Sequence, residues 1–140
     1  MDILLILHLS FVGIWLGCVL TEALFERAFL GSGRENEKIL ASLHKRVDLF
    51  VEIPAFIGVL VTGFMMFNSE ALTTLLIVKI ILGLIAIIAN VYCVHLVFQR
   101  VTFAEKEMWQ EFGEADHIQH KVGAIVLLGI IAALGVGLYF

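Results

Sequence analysis

Within 140 residues the chain carries apolar runs at approximately 3–25, 47–68, 71–98 and 122–140, each close to the roughly 20 residues a helix needs to cross a hydrocarbon core. Lipid offers no partner for a bare N–H or C=O, so only helices or closed barrels span it. The short alternating segments of a membrane barrel are absent. The pattern therefore predicts an all-α, integral membrane four-helix up-down bundle, with residues 1–140 as a single domain. A soluble class is excluded, because 61% of the residues are hydrophobic and soluble domains are about half apolar. The first run has no basic residue ahead of it and no small-x-small site, so it reads as a span rather than a cleaved signal. Leu16-Gly17-Cys18 faintly resembles a lipoprotein cleavage box, but the missing basic start argues against one.

The basic residues orient the bundle. Arg27, Arg34, Lys38, Lys45, Arg46, Arg100, Lys106 and Lys121 lie at the ends joined by the 26–46 and 99–121 segments, and the opposite ends carry none. By the positive-inside rule both long connections are cytoplasmic and the N and C termini lie outside. Lys79 stands apart, inside the third run. With no basic cluster and no Gly-rich phosphate loop, nucleic acid is excluded as a partner. Cys18 and Cys93, both in apolar runs, read as buried free thiols.

Helix one is expected over about 2–29, ending near Gly31-Ser32-Gly33. Helix two begins as an amphipathic stretch from Glu35 to Arg46 and enters the membrane near Val47. Pro54, which lacks an N–H and crowds the preceding turn, predicts a kink near residues 50–54. Helix three is expected to continue past Arg100 towards Trp109, with Gly113 as the break before helix four. Glycines at 13, 17, 123, 129, 135 and 137 permit close helix packing in lipid.

Ionisable residues inside these runs demand an explanation, since each costs roughly 2.5–3.5 kcal/mol at the helix centre on insertion scales. His8, Trp15, Cys18, Glu22 and Glu26 follow the three-four spacing of one stripe on helix one. His44, Asp48 and Glu52, continued by Ala55, Val59, Thr62 and Met66, do the same on helix two. Helix three offers Asn90 and His95, and helix four His117 and His120. Glu22, His44, Asp48, Glu52, His95, His117 and His120 are thus the candidate ligands of a transition metal, because facing helices of bundles hold iron, manganese or zinc with carboxylates and imidazoles. Glu114-x-x-His117 has the spacing of such sites, but occurs once where the known pattern needs it twice. Alternatively, histidines on facing helices hold a b-type haem, with His8, His44, His95, His120 and Lys79 as the candidate cofactor-binding residues. Simpler readings compete. Glu26 with Arg27 and Asp48 with Lys45 would form surface ion pairs, His44, His117 and His120 would be solvated at the interface, and His8 would be a packing histidine. On an ideal helix His95 points away from both Asn90 and Lys79, so the three cannot all face inward.

His8-x6-Trp15-x-Gly17, with Lys79 and the apolar run to Asn90, resembles the CopD-type copper-resistance membrane family. Together with Pro54-x8-Gly63, the pattern is also similar to the HemJ-type protoporphyrinogen oxidases, small four-helix haem proteins. The resemblance covers about the first 95 residues. It implies a haem or copper ligand at His8, a functional partner at Lys79, and a multi-pass place in a bacterial or archaeal cytoplasmic membrane. The chain departs from the HemJ group at Glu22 and Glu26, where an arginine and a histidine would be expected, and helix four has no clear match. The functions in play are a b-type haem redox protein passing electrons to or from a quinone or porphyrinogen, a copper, iron, zinc or manganese binding or transport protein using His8 with Met65-Met66 or the carboxylate cluster, and a structural accessory subunit. Partners expected are the lipid bilayer, the small molecule or ion concerned, and a second copy of the chain.

Overall fold

The computed structural model describes residues 2–29 and 31–139; Met1, Leu30 and Phe140, the last of which closes the fourth apolar run, lie outside the described residues. The elements in order are α1 (Ile3–Ala28), α2 (Arg34–Val47), a π-helical segment (Asp48–Glu52), α3 (Ile53–Met66), a 3-10 turn (Ser69–Ala71), α4 (Thr74–Glu105) and α5 (Trp109–Tyr139). From α2 to α3 the chain is one continuous helix, so the described residues hold four helices long and apolar enough to cross a membrane. Leu24, Phe50, Phe64, Ile88 and Leu128 are among the apolar side chains left on the outside of the bundle, as a lipid-facing surface requires.

Short polar devices start and stop these helices. The Asp2 carboxylate accepts from the Leu4 N–H at 3.0 Å and the Thr73 hydroxyl from the Leu76 N–H at 3.2 Å, each satisfying an otherwise bare first-turn donor. Gly31 and Gly33 take positive φ angles of 74° and 106°, which turn the chain from α1 into α2. The break between α4 and α5 falls at Lys106–Met108, where Glu107 adopts φ 58°, and not at Gly113, which lies inside α5. The burial of Phe112 and Ala115 either side of Gly113 offsets the roughly 1 kcal/mol that a helical glycine costs.

Pro54 has the expected local consequence in a specific form. Immediately before it the hydrogen-bond ladder widens to π geometry, with the Ile53 N–H bonded back to the Asp48 carbonyl. Two four-residue steps, from His44 to Asp48 to Glu52, would drift about 80° around a regular α-helix of 3.6 residues per turn. The wider π turn takes back part of that drift, and all three side chains are buried on the same side.

Packing places polar and apolar layers in alternation along the bundle. At the end holding the chain termini, His8 of α1 meets Thr62 of α3. Next comes an apolar layer of Trp15, Ala55, Phe56, Val59, Ala86, Val126 and Ile130, drawn from every long helix. Gly129 lets α5 approach α4 so closely that a Cβ there would lie 3.0 Å from that of Ala86. Below it lies a layer of buried charged side chains, and the basic end closes with Ala41, Ala104 and Phe112.

Candidate metal centre

Glu22 from α1, His44 from α2, and Asp48 and Glu52 from the π segment each offer a ligand atom, and these atoms all lie within 4.8 Å of one another. All of these residues are buried, Asp48 to 1% exposure. If all three are ionised, these carboxylates can only accept hydrogen bonds and have nothing to offer each other. Glu22 Oε2 and Asp48 Oδ1 have no hydrogen-bond partner among the described residues. Glu22 Oε2 pairs closely with His44 Nε2, and Asp48 Oδ1 lies 3.6 Å from the same nitrogen. The remaining Glu22 oxygen, Oε1, is within 3.5 Å of the Cys18 thiol, which donates to it.

A set of buried supports surrounds these ligands. His44 Nδ1 is 2.6 Å from Glu26 Oε1, and Arg100 donates to both oxygens of Glu26, from Nη1 at 2.8 Å and from Nη2 at 3.3 Å. With Glu26 held as an acceptor by Arg100, His44 Nδ1 is the donor of this pair, and a neutral imidazole would then present Nε2 as a bare nitrogen to the carboxylates. Arg100, exposed by only 1%, also donates to Gln119 Oε1 at 2.8 Å, and its guanidinium carbon lies 4.9 Å from the centre of the Phe112 ring. On the other side Trp15 Nε1 donates to Asn90 Oδ1 at 2.7 Å, and the buried Asn90 Nδ2 has no hydrogen-bond partner among the described residues. This carboxylate–histidine arrangement, a ligand's far nitrogen tied to a second carboxylate, is the one that orients imidazoles on metal ions.

Glu26 and Asp48, for which surface ion pairs were the competing reading, are both buried. Glu26 pairs with His44 and Arg100 and not with Arg27, and Asp48 faces the cluster while Lys45 extends over the Phe98 ring at 4.9 Å. Arg100 and Gln119 were absent from the sequence candidates; Arg100, near the end of its run, counted only towards orientation. Their one visible signal is that both fall on the stripe of α4 or α5 that carries buried residues. His95 and His117 are exposed and join no ligand group, because α4 turns Asn90 inward and so turns His95 out. His120 is also exposed, and its Nδ1 sits 2.8 Å from the Asp116 carbonyl of its own helix. It forms a second group with Glu26 and Asp116, but there Arg100 already supplies the positive charge, with Nη2 3.6 Å from Asp116 Oδ1.

The outer pair lies at the opposite end. His8 Nδ1 is 2.8 Å from the Thr62 hydroxyl, which itself donates to the Gly58 carbonyl at 2.6 Å, and Lys79 lies half-buried against Gly137. Met65 is 60% exposed on the outside of the bundle. The histidines do not fit a haem held between two imidazoles. His44 has both nitrogens against carboxylates, His8 is at the other end of the bundle, and His95, His117 and His120 are exposed.

No protein-family model, curated protein or solved structure matches the chain.

Proposed function

We propose that this chain is an integral membrane protein that binds, and by its position within the bilayer conducts or stores, a divalent transition-metal ion at Glu22, His44, Asp48 and Glu52. One observation carries the reading: three buried carboxylates and one imidazole bring their ligand atoms within 4.8 Å of one another, and two of the carboxylate oxygens have no hydrogen-bond partner among the described residues. Uncompensated buried charge costs several kcal/mol per ion, and Arg100 is already matched by Glu26, so a cation at the centre is the economical source of balance. Three carboxylates and one imidazole, with no thiolate or thioether, suit manganese, iron(II) or zinc better than copper. The positive-inside rule sets the basic end, and with it this centre, on the cytoplasmic side, and puts both termini outside.

The test is a competition titration of purified protein with Mn2+, Fe2+ and Zn2+ against a chromophoric chelator. Asp48→Asn keeps the shape of the side chain, removes one anionic ligand and is expected to abolish stoichiometric binding. Saturation of the variant at the wild-type affinity would sink the reading.

A further inference from the structure

We infer that the groove between α2 and α4 at the basic end is a binding site for an anionic phospholipid with a hydroxylated headgroup. The groove is lined by Lys38, Ile39, Ser42, Leu43, Arg46, Val101 and Glu105, and encloses about 470 Å³ open to the surroundings. Lys38, Ser42 and Arg46 recur every four residues along α2, so they stand on one face over about 12 Å at 1.5 Å per residue. None of Lys38, Arg46 and Glu105 has an ion-pair partner among the described residues, and Ser42 makes no hydrogen bond there.

Position and charge together choose the occupant. Arg46 immediately precedes the apolar stretch that continues into α3, and Glu105 ends α4, so the polar half of the groove lies where headgroups lie. Ile39 and Leu43 are 61% and 46% exposed on the same face and offer an apolar track for an acyl chain. Two basic residues against one acidic residue leave a charge of +1, which one phosphodiester neutralises. The phosphate oxygens would accept from Lys38, Arg46 and the Ser42 hydroxyl. A headgroup hydroxyl would donate to Glu105, a carboxylate that a bare phosphate would meet only with repulsion. Basic pockets between membrane helices recognise lipid headgroups by this chemistry. The inference is independent of the ion at the carboxylate cluster.

Delipidated protein in neutral detergent, titrated with phosphatidylglycerol, phosphatidylcholine or soluble glycerol phosphate and read by native mass spectrometry, tests it. Phosphatidylglycerol is expected to be retained preferentially, and Lys38→Ala with Arg46→Ala to weaken it by roughly 30-fold, from about 1 kcal/mol per basic residue. Lys38→Arg with Arg46→Lys, which keeps the charge, should restore retention, and an unchanged helical circular dichroism spectrum confirms that each variant is folded. Equal retention of phosphatidylcholine, glycerol phosphate binding as tightly as the lipid, or undiminished phosphatidylglycerol binding by the folded alanine variant would each overturn the inference.

Discussion

Glu26 does not belong to the ligand set, yet the geometry makes ion affinity depend on it. Its Oε1 takes the His44 Nδ1 proton at 2.6 Å and an Arg100 proton at 2.8 Å, and its Oε2 takes a second Arg100 proton at 3.3 Å. In Glu26→Gln the amide oxygen can keep the Oε1 position and both its bonds, but it is a neutral acceptor, and the new NH2 group opposes Arg100 Nη2. Charge-assisted bonds are about twice as strong as neutral ones, so the hold on the imidazole weakens without disappearing. Glu26→Ala removes it outright. Outer partners of this kind are worth 10–100-fold in metal affinity, so we expect roughly a tenfold loss for Gln and roughly a hundredfold loss for Ala, about 1.4 and 2.8 kcal/mol. The alanine variant also strands the Arg100 charge, although Gln119 Oε1 at 2.8 Å and Asp116 Oδ1 at 3.6 Å remain beside it. Arg100→Met in the alanine background removes that charge and separates the two effects. Competition titration gives the affinity, and helical circular dichroism shows that each variant is folded. Wild-type affinity in folded Glu26→Ala would refute the reasoning. So would full recovery on adding Arg100→Met, which would place the effect in the stranded guanidinium and not in the orientation of His44.

Further expectations follow from burial and packing. His95→Ala and His117→Ala, both at exposed positions, should leave the ion affinity within twofold of wild type in the same titration. Gly58→Ala should destabilise the protein, because its Cβ would lie 2.6 Å from the Phe11 ring, and overpacking costs about 1–3 kcal/mol against the roughly 1 kcal/mol gained by replacing a helical glycine. Gly17→Ala, with nothing within 4 Å of the added atom, should be neutral or stabilising; reversible unfolding in a denaturing detergent compares the two.

Much of the carboxylate cluster was legible because it obeys a local rule. Glu22 shares the α1 stripe with His8 and Trp15, and His44, Asp48 and Glu52 recur along α2 and the π segment, so helical spacing alone joins them. What surrounds them was not legible. Glu26 meets His44 across 18 residues and Arg100 across 74, and no periodicity connects positions on different helices. A glutamate beside Arg27 and an arginine near the end of an apolar run look like interface charges until the bundle closes over them. His95 illustrates the converse: its spacing already opposed Asn90 and Lys79, and the Trp15 hydrogen bond to Asn90 decides which of them faces inward. Pro54 announced a distortion, but only the closed ladder shows it as a π segment that brings Asp48 and Glu52 under His44. Gly113 misled because a glycine's cost in a helix is smaller than the packing of Phe112 and Ala115 beside it.

The central claim is that these four buried side chains share a metal ion. Elemental analysis of the purified, folded protein, repeated after removal of loosely bound metal by a weak chelator, tests it most directly. The account predicts close to one equivalent of manganese, iron or zinc per chain, lost in Asp48→Asn. A folded protein with no stoichiometric metal after growth and purification with these ions supplied would contradict it, and would leave protons as the charges that balance the cluster.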